Sequence, residues 1–176
     1  MKHWLIAATT LLLMTACLHK KHGAVKEEIR EQHVRMEAKT FALSVVQTYF
    51  EEDCAAFLAK FSESIMLVDG NGVFEVDGRQ DKLCRSAKRA VLDKSKTLED
   101  YLQTYEVEML SRAELEERFE MTLPDYFDSD TSDYFFLGTE LKEGFLKSDT
   151  FIWRDMFFFM VRRDADGQWK IKGVSG

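Results

Sequence analysis

Residues 150–175, TFIWRDMFFFMVRRDADGQWKIKGVS, constrain the fold of this chain more than any other stretch. Two runs of β-branched and aromatic residues, Thr150 to Arg163 and Gln168 to Ser175, flank Asp164-Ala165-Asp166-Gly167. Aspartate and glycine tolerate the left-handed backbone that a tight reversal needs, so the stretch reads as a long hairpin. A second hairpin signal lies in IMLVDGNGVFEV, where two strand-forming runs flank Asp69-Gly70-Asn71-Gly72. Asp133 to Leu141, DYFFLGTEL, reads as a further strand.

The first third of the chain follows a different period. Val25, Ile29, Met36, Phe41, Val45 and Tyr49 recur at helical steps, which predicts a helix from about Ala24 to Glu51. Its first half, VKEEIREQHVRMEAK, is the more charged and is expected to project as a stalk. Asp53 can cap a short second helix that turns Phe57, Leu58 and Phe61 inward. GRQDKLCRSAKRAVL reads as a third helix, and TLEDYLQTYEVEML as a short helix passing into a strand near Tyr105 to Leu110. Ser111 and Glu114 carry the capping-box spacing, so another short helix starts there. Helices come first and hairpin-joined strands follow, which specifies α+β rather than alternating βα units. Apolar content of 45% with 14 Phe supplies a real core, and no repeat or low-complexity tract interrupts it.

A long N-terminal helix, a short second one, a hairpin, a third helix and long strands ending in DGQWKIKGVSG resemble the nuclear transport factor 2-like superfamily. The similarity covers residues 35–176, and the terminal hairpin with Trp169, Ile171 and Val174 carries it best. The resemblance implies a strongly bent, mostly antiparallel sheet wrapped around N-terminal helices, a cone enclosing a pocket. The acidic segment 111–132 would be an insertion in it. That superfamily holds isomerases, dehydratases, transport factors and pure binding modules, so the fold alone implies no activity.

The N-terminus concerns location. Lys2 followed by the apolar stretch Trp4 to Met14 is too short to span a bilayer and matches a signal-peptide core. Thr15 and Ala16 before Cys17 resemble a bacterial lipobox, with Met14 where leucine is usual. The resemblance implies cleavage before Cys17 and acylation there, by diacylglycerol and further chains such as palmitate. Leu18 after the cysteine implies sorting to the outer membrane in a two-membrane cell, facing the periplasm or the cell surface. The other reading is a plain secretory leader with an incidental cysteine. The expected organisation is a signal peptide at 1–16, a tether and exposed helix start at 17–34, and the domain at 35–176. HKKH at His19 to His22 either touches anionic headgroups or is a solvated tether. Export places Cys54 and Cys84 in an oxidising compartment, where they are expected to pair, the alternative being two buried thiols.

Composition excludes several chemistries. Net charge is -7 and no basic stripe exists, so no nucleic-acid partner is expected. His3, His19, His22 and His33 all precede the expected sheet, which, unless His33 reaches it, leaves no imidazole for Ser-His-Asp catalysis or for usual zinc sites. DSDTSD at Asp128 to Asp133 lacks the spacing of a calcium loop and reads as a solvated acidic loop, so neither a metal nor a cofactor is expected. The informative residue is Asp155, because the alternating row Phe151, Trp153, Asp155, Phe157, Phe159, Val161 would share one face. A carboxylate in an apolar row is costly unless paired or protonated. By analogy with cone-pocket isomerases it would act as a base, with Tyr134 or Tyr49 donating to an oxyanion. Otherwise a bulge turns it outward, or it pairs with Arg79, Arg154 or Arg162. Tyr49, Tyr134 and Trp153 read equally as core aromatics, and Trp153, Phe157 and Phe159 are the pocket candidates. The reading adopted is a membrane-anchored, non-enzymatic domain binding a small apolar ligand or a protein partner, with a homodimer admitted. Its alternative is a cone-pocket isomerase or dehydratase using Asp155.

Overall fold

The computed structural model describes residues 2–67, 72–78, 80–81, 83–84, 97–120, 122–123, 130, 132–140 and 156–174. Side chains are described within these ranges except at 2–24, 67, 72, 74, 139–140 and 156–158. Two compact units result, Met1–Glu37 and Ala38–Gly176.

Helix α1 runs Lys2–Phe50, well upstream of the start expected near Ala24. The physical reason is that nothing before Ala24 stops a helix: proline is missing there and Gly23 is the only glycine. Among the described residues no helix is long and apolar enough to cross a membrane. In Met1–Glu37, the pairs Arg30–Glu27, Arg35–Glu31 and His33–Glu37 lie three or four residues apart, which supports an exposed helix by a few tenths of a kcal/mol each.

The rest of α1 belongs to Ala38–Gly176, where Ala38, Ala42, Val45 and Val46 form a fully covered stripe. The helix stops by a Schellman arrangement, with Asp53 N–H donating to the Thr48 carbonyl and Glu52 N–H to that of Tyr49. Glu52 takes the left-handed conformation, φ 55°, a place usually held by glycine. Asp53 then caps α2 (Cys54–Leu58), accepting from Ala56 N–H at 2.9 Å.

Strands β1 (Phe61–Leu67) and β2 (Gly72–Glu75) pair antiparallel, as expected, although the turn itself lies outside the described residues. Of the expected third helix, helical backbone is described at Gln80, Asp81, Leu83 and Cys84. Thr97 caps α3 (Leu98–Thr104), which passes directly into β3 (Tyr105–Ser111). Ser111 and Glu114 form the expected capping box of α4 (Arg112–Arg118), with bonds of 3.3 and 2.7 Å. Strands β4 (Tyr134–Glu140), β5 (Met156–Arg163) and β6 (Trp169–Val174) complete the sheet. The β5–β6 reversal is the expected one: Asp164 caps it with its carboxylate and Gly167 adopts φ 76°.

The strand order is β2-β1-β6-β5-β4-β3. The fold is therefore α+β with a mixed, open sheet in which only β1 and β6 run parallel. Ile171 N–H donates to the Lys60 carbonyl at 2.8 Å at the start of that parallel pair. Register shifts between Met160 and Val161 and between Phe61 and Met66 mark irregularities that bend strands locally.

The sheet is apolar on both faces. Directly paired Leu110, Phe135 and Met160 face one side, where Met66, Leu115, Leu123 and Leu137 complete a cluster joined by Phe119. Paired Met109, Phe136 and Phe159 face the other, with the Phe136 and Phe159 rings stacked at 4.7 Å. Met160 is therefore as buried as Phe159, so β5 carries no solvent face over this stretch. On the strand beside them, Val107 accepts from Lys39 of α1 at 3.1 Å.

Cys54 and Cys84 form a disulfide with Cα atoms 5.9 Å apart, as their export would imply. It closes a separation of 30 residues. On the chain-entropy account such a loop contributes about 3–4 kcal/mol by restricting the unfolded chain. Reduction, or Cys84→Ser, should therefore lower the melting temperature by several degrees, read by calorimetry with and without reductant. An unchanged melting temperature would contradict this assignment.

Candidate functional site

Among the described residues a concavity lies where the last turn of α1 meets α3. Gln47, Phe50 and Glu51 form one wall; Thr97, Leu98, Glu99, Leu102 and Gln103 form the other, around about 660 Å³. Local sequence explains both walls. The Schellman stop ends α1 just after Phe50, leaving that ring on the terminal turn. On α3 the Thr97 cap starts the helix, with its hydroxyl accepting from Asp100 N–H at 3.1 Å, and Leu98 and Leu102 then fall one turn apart. Leu102 is 41% exposed, an unusual state for a leucine beside a core.

Behind the lining lies an aromatic row. Phe50 packs against Tyr101 at 6.2 Å, and Tyr101 stacks on Tyr105 at 4.8 Å. Tyr101 is fully buried, and its hydroxyl has no hydrogen-bond partner among the described residues. Burial first, and the neighbouring Tyr105 second, push its ionisation well above the ordinary value of 10.0. Among the described residues the lining holds the carboxylates Glu51 and Glu99 and neither lysine nor arginine. Gln47 donates to Glu51 at 2.6 Å across one helical turn, which orients that carboxylate.

None of the described residues singled out in the sequence lines this groove. Asp155 and Trp153 lie outside the described residues, as do Arg79 and Arg154. Tyr49 packs edge-on against Phe50 and Phe57, and Tyr134 against Trp169. Phe159 is stacked in the core, and the backbone of Phe157 pairs with Gly138. The groove had one sequence signal, the Leu98/Leu102 pair following the Thr97 cap, and hydrophobic periodicity alone does not tell an exposed leucine from a buried one.

A second polar constellation corrects the reading of DSDTSD as a solvated loop at Asp133, while Asp130 and Ser132 are exposed as expected. Its last member, Asp133, is fully buried and receives Arg162 through two bonds, Nε at 2.6 Å and Nη2 at 2.8 Å. Asp130 N–H adds a third at 2.5 Å. The cause is register: Tyr134 pairs with Val161, so the next pair outward sets Asp133 opposite Arg162. Arg163 beside it lies over the Trp169 ring at 4.9 Å. Glu116 is likewise engaged; the Leu123 N–H foremost, then Arg112, hold its carboxyl below the usual carboxylate range. Among the described residues no group of three His, Cys, Asp or Glu is placed to hold a metal ion.

No family model matches this chain, and neither a curated protein nor a solved structure does. The site is read on its own chemistry. A lining with apolar Phe50, Leu98 and Leu102, two carboxylates and three side-chain hydrogen-bonding groups can hold an apolar group adjacent to a cation.

Two outcomes follow from the buried polar groups. Asp133→Ala should destabilise the domain by about 3 kcal/mol, because it removes a fully buried carboxylate that takes two bonds from the half-buried Arg162, and Arg162→Met in the same chain should recover most of the loss. Urea titration of the two variants checks this, and equal stability of single and double variants would contradict it. Tyr101→Phe should stabilise by about 1 kcal/mol, since it removes a buried donor that nothing described satisfies. The sign with pH is set by the raised ionisation: the native state keeps the phenol neutral while the unfolded chain ionises near 10. Wild-type stability should therefore be intact below pH 10 and fall as pH rises further, and Tyr101→Phe should flatten that fall in chemical denaturation series.

Proposed function

We propose that this chain is a lipid-anchored, non-enzymatic accessory domain that binds a partner through the acidic groove between α1 and α3. The groove carries the reading: exposed Leu102 and half-buried Phe50 sit beside Glu51 and Glu99, with no cation in the lining among the described residues. A segment with an apolar side chain next to a lysine or arginine complements that surface. Export and anchoring are supported by the apolar leader and by Thr15-Ala16-Cys17, with acyl chains on Cys17 holding the protein at a membrane. Leu18 supports the outer membrane of a two-membrane cell. The nuclear transport factor 2-like cone is supported by the element order and by the bulges that bend β1, β5 and β6.

The test is photo-crosslinking of the full chain in its native membrane, with the photoreactive residue at position 102 or, as a control, at exposed Val73. A discrete adduct from position 102 alone, lost in the Glu51→Lys/Glu99→Lys chain, is the expected result. Equal adducts from both positions, or none, would overturn the groove assignment. Intact-mass measurement of the same material should show acyl mass on Cys17, absent from Cys17→Ser.

A further inference from the structure

In Met1–Glu37, Val25, Ile29 and Met36 are 51, 60 and 68% exposed. Their spacing follows a heptad with Val25 and Gln32 at d and Ile29 and Met36 at a. The flanking positions then hold Lys26 and His33 at e, and Glu28 and Arg35 at g. We propose that residues 25–36 form a parallel, in-register seam with a second copy of this chain.

Three observations select that occupant. First, exposed apolar side chains at a and d are what a facing helix buries. Second, in a parallel pair each g position faces the e position five residues on in the other helix, so Glu28 meets His33, a carboxylate against an imidazole donor, twice per dimer. Third, the segment is the wrong object for a lipid surface. Residues 26–37 hold three basic and four acidic residues distributed around the helix, so no cationic face exists to draw it onto anionic headgroups.

The parallel orientation rests on the anchoring reading. A seam of fewer than two heptads gains too little to hold free copies together, but copies held on one membrane have already lost most of the freedom that association costs. Anchors on the same side also make the helices leave the membrane in one direction.

The experiment is oxidative crosslinking of the full chain in native membranes, with single cysteines placed by Ile29→Cys and Gln32→Cys on the seam and by Glu27→Cys and Glu31→Cys off it. Seam positions should give several-fold more disulfide-linked dimer than the outer positions, and Ile29→Asp should remove the difference when combined with Gln32→Cys. Equal or absent crosslinking overturns the seam. So does a mixed disulfide between Val25→Cys and Met36→Cys chains exceeding that at position 29, which would mean antiparallel pairing. Shielding of position 29 from a membrane-impermeant thiol reagent without any dimer would place the helix on lipid and also overturns it. Acyl mass on Cys17 is measured separately: seam crosslinks without acylation would refute the anchor and leave the seam standing, whereas acylation without crosslinks would do the reverse.

Discussion

The pairing of β4 with β5 is the constraint on which the rest of the domain depends. It aligns Phe135 with Met160 on one face and Phe136 with Phe159 on the other, so a single ladder organises both apolar layers. That arrangement has a weakness. In a strand with one polar face, a slip of one residue is heavily penalised because it turns the apolar set into water. Here both faces are apolar, and a slipped β4 would still bury phenylalanines. Discrimination has to come from the ends of the ladder. Asp133 opposite Arg162 supplies it, since any slip separates a fully buried carboxylate from its guanidinium. The ion pair thus contributes more to uniqueness than the small net energy usual for such pairs.

The same logic runs through the acidic half of the chain. Residues 111–133 are rich in carboxylates, yet several of those described are bound to specific donors. Glu114 returns to the Ser111 N–H, Glu116 takes both Leu123 N–H and Arg112, and Glu108 on β3 is held by Arg118 of α4. These bonds fix a helix of seven residues, too short to be stable by propensity, with its Leu115 against the sheet face that carries Leu110 and Phe135. Charge is spent on positioning a covering helix, and the acidity of Glu51 and Glu99 is what remains turned toward solvent in the groove.

Much of the architecture was legible because it rests on short-range chemistry. The Asp53 and Ser111 caps, the Asp164–Gly167 reversal and the two hairpins each depend on a few adjacent residues with defined backbone demands. What failed to show depends on residues distant in sequence. The burial of Asp133 follows from a partner 29 positions away and from a register that composition does not encode. The groove depends on where α1 stops, and it stops at Glu52, which accepts a left-handed backbone without being the residue type that advertises one. The expected helix start near Ala24 rests on reading Trp4 to Met14 as a signal-peptide core and the residues after Cys17 as a tether, whereas helix formation itself needs only the lack of a breaker.

The disulfide belongs to this pattern of local weakness met by a long-range constraint. The elements it spans are slight, a five-residue α2 and a four-residue β2, each below the length at which an isolated helix or hairpin holds together. Nearby burial is also imperfect, because the Ser62 hydroxyl on β1 is enclosed with no partner among the described residues. Hydrogen bonding and burial alone therefore favour this segment only weakly over its unfolded alternatives. A crosslink from the first residue of α2 to Cys84 acts on those alternatives directly, by removing extended conformations from the unfolded ensemble. Its stabilisation requires no additional core, and core is what elements of four and five residues are least able to provide.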